Sequence, residues 1–298
     1  MRAVFPVACV LFLAGGLFAS GGQAPTPAVP ANELVRGAVT KELKTQAGRS
    51  ERFRYRMKKV TPEGSQIKEY VETDAGTVGR LVAMNDQPLA PDAQAKEDAR
   101  LQSLVSNPSL QADRQKKQKE DEERVTRMVG ALADAFNYEY DGNETGKNGA
   151  ELIRLKFQPN PNYDPPTREL KVYQGMQGKM WIDATSHRMV RLEATLFRDV
   201  DFGWGILGRL YKGGHFDIEQ SDVGGGRYET TYMNLDFTGK VMMVKSLKIR
   251  DTETLSDFHR IGDNLTLAQG VEMLRSYQPG KDVVAQGTAP APPRSQQK

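Results

Sequence analysis

Two periods alternate along the chain. Leu34, Val35, Ala38, Val39 and Leu43 recur at helical spacing. Residues three and four apart lie above one another on a helix, so this segment predicts a short helix with one apolar face. The period then falls to two. In Arg52-Phe53-Arg54-Tyr55-Arg56-Met57-Lys58, cations alternate with Phe53, Tyr55 and Met57, which predicts a strand with an apolar face and a cationic face. Pro62-Glu63-Gly64 reads as a turn, and residues 66–73 and 78–85 continue as strands of an antiparallel meander. The cationic row reads first as the solvent side of a strand, where positive charge also discourages edge-to-edge pairing. Contact with anionic headgroups or an acidic partner is the alternative.

From Pro91 the two-residue period is lost. Leu101, Leu104 and Val105 share a helical face, Asn107-Pro108 interrupts, and Val125, Met128, Val129, Leu132 and Phe136 form an i, i+3, i+4, i+7, i+11 stripe. Two helices are expected, inserted between strands over residues 92–136. Residues 111–127 are almost wholly polar, which fits a solvated helix surface supported by Glu–Lys pairs or a partner-binding arm. Strands return at 151–157, 169–173, 178–183, 188–197, 215–221, 227–237 and 240–250, separated by turn signals such as Asn160-Pro161-Asn162, Gly224-Gly225-Gly226 and Thr238-Gly239. No helical pattern separates these later strands, so parallel βαβ units are not expected. The pattern predicts an α+β, mainly β fold: a curved antiparallel sheet with a helical insertion and an N-terminal helix.

The ends read differently. Arg2 supplies a positive start, Val4 to Phe18 is apolar apart from small residues and one proline, and Ala19, Ser20, Gly21, Gly22 and Ala24 offer small residues for cleavage. This is the layout of a secretory signal peptide, expected over 1–24. The apolar run is shorter than the ~20 residues a membrane span needs. Residues 25–31 form a Pro/Ala linker, and 279–298 a tail rich in Ala, Pro, Gln and Gly. Neither can bury enough apolar surface to offset its ordering entropy. The expected product is a single domain over 32–278, periplasmic, without a transmembrane span in the mature chain.

Composition narrows the chemistry. The 298 residues carry 41 Lys+Arg against 38 Asp+Glu, a net charge of +3, which leaves no electrostatic footprint for nucleic acid. The one cysteine, Cys9, would leave with the signal, so no disulfide or Cys-ligated metal is expected. Gly203-Trp204-Gly205-Ile206-Leu207-Gly208 matches G-x-G-x-x-G, but only Arg209 to Lys212 follows before Gly213-Gly214, about one helical turn. A dinucleotide site needs a full helix there, so the segment reads as a loop with Phe202, Trp204, Ile206 and Leu207 packed inward. Ser65-Gln66-Ile67-Lys68 matches S-x-x-K without the companion elements that make it catalytic. His187, His215 and His259 are too far apart in sequence for a helical metal motif. Asp199 and Asp201 would form a carboxylate pair if their strand persists. Catalytic residues, cofactor and metal are all expected to be none.

Gly178-Lys179-Met180-Trp181-Ile182-Asp183, a short turn, and Arg188-Met189-Val190-Arg191-Leu192-Glu193 resemble a hairpin of bacterial periplasmic proteins similar to the LolA/LolB/RseB group, the lipoprotein-sorting-like proteins. Lys212-Gly213-Gly214-His215-Phe216 and Gly239-Lys240-Val241 are similar to the same pattern, and the opening meander resembles secreted bacterial proteins of unassigned function. The resemblance implies an open half-barrel around a hydrophobic cavity, partly closed by helices, that shields acyl chains. Each buried CH₂ is worth ~0.8 kcal/mol, so such a cavity needs no covalent chemistry. The insertion 92–136 departs from that pattern. The function implied is a non-enzymatic periplasmic carrier or sensor for lipid, acyl chain or lipoprotein. Candidate lining residues are Phe53, Tyr55, Met57, Trp181, Val190, Leu192, Trp204, Met233, Leu235 and Phe237, although alternation sets Trp181 opposite Met180 and Ile182. The alternative is an envelope interaction or assembly factor, with a filled barrel and the helical insertion as contact. A hydrolase is the third reading and needs two of the histidines and the Asp199/Asp201 pair to converge. An apolar cavity of a few hundred Å³ favours the carrier, and a packed interior favours the interaction factor.

Overall fold

The computed structural model describes residues 29–48, 51–203, 207–242 and 245–276. The signal segment and the tail from 279 lie outside them, as does Trp204. The described residues from Ala31 onward form one unit. The unit opens with helix α1 (Ala31–Ala47), which starts one residue inside the stretch read as linker. Strands β1 (Arg52–Thr61), β2 (Gly64–Thr73), β3 (Gly76–Met84) and β4 (Gln87–Pro88) follow as the predicted meander. Helices α2 (Pro91–Ser106) and α3 (Pro108–Ala135) are the predicted insertion. Pro108 ends one helix and starts the next, since a residue before proline is pushed out of the α region. Asn107, extended at ψ 103°, caps α3 by accepting from the Ser109 and Leu110 amides.

The remaining strands are β5 (Phe136–Thr145), β6 (Glu151–Pro159), β7 (Met176–Asp183), β8 (Met189–Leu196), β9 (Val200–Phe202), β10 (Gly208–Leu210), β11 (His215–Asp222), β12 (Tyr228–Val241) and β13 (Lys245–Gly262), and helix α4 (Leu267–Ser276) closes the unit. Among the described residues the strands form one antiparallel sheet, ordered β4-β3-β2-β1-β13-β12-β11-β8-β7-β6-β5, with the β9–β10 hairpin attached to the far end of β12. The sheet is open, with β4 and β5 at its edges. The last strand is the seam: β13 lies between β1 and β12 and joins the opening meander to the later strands.

Helices cover both faces, at opposite ends. Register places Phe53, Tyr55, Met57, Met233, Leu235, Phe237, Phe216, Leu192, Met180 and Leu155 on one face. There, Val35 and Val39 of α1, Leu132 and Ala135 of α3, and Leu170 and Tyr173 of the 3₁₀ segment Glu169–Gly175 share a core with Phe136, Leu155, Phe157, Met180 and Leu196. On the other face, Leu101 and Leu104 of α2 and Leu267, Val271 and Leu274 of α4 bury Val71 and Val78.

This second cluster corrects the reading of the cationic row. Arg54 pairs in register with Val71, so the row stands on the face that carries α2 and α4, not on a plain solvent face. Arg52 meets Asp74 at 3.3 Å, Arg56 meets the buried Glu69 at 2.6 Å, and Lys58 meets Asp86 at 2.7 Å. The helices and counter-charges come from distant sequence, which the local alternation does not contain.

Both edges are blunted. β4 is two residues long and contains Pro88. On β5, the Asn32 side chain donates to the Phe136 carbonyl and accepts from the Tyr138 amide, both at 3.1 Å, and so occupies positions that a neighbouring strand would use.

Candidate functional site

The hollow expected under the helices is filled by the chain itself. Leu155 and Ile182 are fully buried, and the Phe136 ring packs against Phe157, Tyr138 and Tyr173 with centroids 4.7–6.2 Å apart. Hydrogen bonds fasten the covering helix. The Tyr138 hydroxyl donates to the Leu132 carbonyl at 3.0 Å and the Tyr173 hydroxyl to the Met128 carbonyl at 2.9 Å. Burial pushes both phenols well above their ordinary range, so they stay neutral donors at any physiological pH.

Further along the same face, Met57, Ile218, Met233 and Leu255 form a half-buried apolar strip. Tyr55 lies between Tyr70 and Phe258, stacked on each at 5.2 Å. Burial, with Glu72 adding to it, raises the Tyr55 phenol far above its usual value. At the end of the strip Lys59 reaches Asp251 at 2.7 Å and Glu253 at 3.1 Å.

A cleft of about 860 Å³ lies between the end of α1, the middle of α3 and the β2–β3 turn. Leu43, Ala47 and Val125 give it an apolar side, while Arg52, Asp74, Lys119 and Glu122 line it with both signs of charge. Its α3 wall is pinned to the hairpin tip: Arg114 donates to the Thr77 and Ala75 carbonyls at 2.7 Å, and Gln118 to Thr77 at 2.6 Å. Arg227 forms the floor. It donates to Glu72 at 2.5 Å, Glu229 at 2.7 Å and the Glu51 carbonyl at 2.9 Å, and sits 4.4 Å from the Phe53 ring centroid. Burial alone lowers the Arg227 pKa, but Glu72 and Glu229 outweigh it and raise the value. The guanidinium is thus a fixed charge.

The candidate lining residues divide on this geometry. Tyr55, Met57 and Met233 lie on the half-open strip. Phe53, Leu192 and Phe237 are buried, and Leu235 packs against the filled core. Trp181 stands on the opposite face, as alternation implies, buried with the Arg191 guanidinium 4.8 Å from its ring centroid; it does not line the hollow. Val190 falls at a register shift between β7 and β8, and Met189 packs on the core instead. The cleft residues escaped the sequence reading because Leu43, Asp74, Val125 and Arg227 lie in four separate segments and share no spacing.

The hydrolytic constellation is not assembled by the observed bonds. Asp201 is held by Arg209 at 2.6 Å and Asp199 accepts from the Lys212 amide at 2.9 Å. His215 bonds Asn234 on the opposite face from the core, and His187 occupies a turn at φ 52°. Among the described residues no cluster of His, Cys, Asp or Glu has metal-binding geometry, and no helix is long and apolar enough to cross a membrane.

No protein-family description matches the chain, and no curated protein does. Two solved structures show a loose likeness. A DUF1329 family protein from Desulfovibrio piger aligns over 78% of this chain and 94% of its own, at 9% identity and a TM-score of 0.28. MucB, solved in complex with MucA(peri), aligns over 79% of this chain and 97% of its own, at 7% identity and a TM-score of 0.19. Scores this low carry no functional conclusion.

Proposed function

We propose that the chain is an exported, non-enzymatic interaction protein that holds a segment of another envelope protein in the cleft between α1, α3 and the β2–β3 turn. One observation carries this reading: the chain's own helices fill the hollow, while the cleft of about 860 Å³ stays open. An acyl chain needs an unbroken apolar wall, because uncompensated polar groups at its surface cost desolvation. A peptide segment bearing apolar and charged side chains matches Leu43, Ala47 and Val125 beside Arg52, Asp74, Lys119 and Glu122. Both blunted edges argue against a guest that adds as a strand.

The test is site-specific photo-crosslinking in cells, with the probe at Gln118 in the cleft or at Thr195, exposed on the opposite face. A discrete adduct from Gln118 that is absent from Thr195 is the expected result. Equal adducts from both positions, or none, would overturn the reading.

The strip of Met57, Ile218, Met233 and Leu255 favours a second reading, a lipid or acyl-chain carrier. Native mass spectrometry of protein taken from the envelope, with lipid extraction, separates the two. A stoichiometric amphiphile that is lost in Met233→Glu would establish the carrier. Its absence, with no uptake of a fluorescent fatty acid, retires it.

A further inference from the structure

We propose that the solvent face of α3 pairs with the same face of a second copy of this chain, antiparallel and about a two-fold axis. The charges of α3 change sign once, near its middle: Lys116, Lys117 and Lys119 are followed directly by Glu120, Asp121, Glu122 and Glu123. Arg114 and Gln118 face the β2–β3 tip, and Leu132 is sunk in the core. At about 3.6 residues per turn, Lys116 and Glu123 therefore point away from the sheet. Lys119 stands on the flank that meets the cleft and Glu120 on the other. All four are exposed. The Glu–Lys support expected along this stretch is not formed. Its ion pairs join Arg124 to Asp121 and Arg127 to Glu169, while among the described residues Lys116, Lys119, Glu120 and Glu123 have no ion-pair partner. Lys116 with Glu120, and Lys119 with Glu123, run in the order Lys before Glu, the weaker one within a helix. The sign change thus does little for α3 alone.

It does fit a copy of itself. A two-fold axis through the stripe, between Lys119 and Glu120, reverses the direction of the second helix and exchanges its flanks. Lys116 of each copy then meets Glu123 of the other, and Lys119 meets Glu120, at matching heights along the two helices. A patch that is complementary to itself in this way is what a two-fold dimer requires. A parallel arrangement sets lysine against lysine and acid against acid, so the pattern also fixes the direction. An outside partner would need the same charges in reverse order on one helix, whereas every copy of this chain already carries them. Exposed pairs are individually weak and screened by salt, so the dimer is weak, ionic and concentration-dependent.

The experiment is sedimentation velocity of the purified protein over a concentration series at low and high salt. Wild type is expected to pass from monomer to dimer, with association weakened about tenfold or more as salt rises from about 0.02 M to about 0.5 M. Lys116→Glu combined with Lys119→Glu makes the stripe wholly acidic, and Glu120→Lys combined with Glu123→Lys makes it wholly basic. Each double variant should be monomeric alone, and an equimolar mixture of the two should restore the dimer. The fourfold exchange, which returns both signs to each stripe, should dimerise by itself. All four positions are exposed, so the substitutions should leave the fold intact, with circular dichroism to confirm it for every variant. A wild type that stays monomeric overturns the proposal, whether or not a photo-crosslinking probe at Ala112 captures another protein. So does a dimer kept by the wholly acidic variant, or a mixture of the two double variants that stays monomeric.

Discussion

Asn32 shows how much one side chain settles. Its amide satisfies a carbonyl and an amide of the β5 edge from the first turn of α1. Asn32→Ala should cost about 1–3 kcal/mol, because the strand groups lose partners in a partly buried place. It should also increase self-association, since the bared edge is a template for pairing. Urea unfolding and light scattering read the two effects. Glu97 acts similarly for α2. It accepts from the Leu81 amide at 2.8 Å and from Arg100 at 2.7–2.8 Å. Burial opposes its ionisation, but Arg100 and the Leu81 amide prevail and hold its pKa below the ordinary carboxylate range. A depressed folded pKa gives stability that is complete above the unfolded value and lost as pH falls through the folded one. Wild type should therefore exceed Glu97→Gln in stability at neutral pH, and the difference should begin to shrink as pH falls past the ordinary carboxylate value and vanish only below the lower folded one, checked by denaturation midpoints across the acid range. None of this was legible beforehand. Alternation in residues 52–58 revealed the two faces of β1, but not that Asp74, Glu69 and Asp86 would come from distant sequence to meet the cationic one.

At the scale of elements, periodicity located α1, the α2–α3 insertion and most strands, and misplaced those shaped by close approach. Thr238-Gly239 reads as a turn, yet β12 runs through it to Val241. The reason is crowding: a Cβ on Gly239 would fall on the Arg209 carbonyl oxygen of β10, so glycine is there for contact and not for bending. Gly239→Ala should push β10 off β12 and cost about 1–3 kcal/mol. Hydrogen exchange should show the Tyr211 amide, which donates to Thr238 at 2.9 Å, losing protection before the rest of β12. Residues 169–173 alternate like a strand but form a 3₁₀ segment, because Leu170 and Tyr173 both turn into the core. Phe136 completes the α3 stripe by spacing, yet at φ −133° it ends the helix and opens β5.

For the whole molecule, the sheet supports two separate apolar clusters, one on each face. The second depends on α4, whose ten residues with one apolar face are too short for periodicity to mark as a helix. Leu274 is fully buried there, and Leu274→Ala should cost about 3 kcal/mol. Limited proteolysis should then cut α2 and α4 before α1, since the other cluster is untouched. The mainly β class and the open sheet were within reach of pattern reasoning. The cleft was not, because it exists only once Leu43, Asp74, Val125 and Arg227, from four separate segments, meet.

Helix α3 runs 28 residues, roughly 40 Å at 1.5 Å per residue. Its near end is riveted to the β2–β3 tip by Arg114 and Gln118, and its far end is sunk in the main core through Leu132 and Ala135. It therefore works as a beam supported at both ends, with the cleft beneath its span. Anything wedged there loads that beam, and the strain reaches both supports together, so occupancy in one place should be felt as altered rigidity at two distant ones.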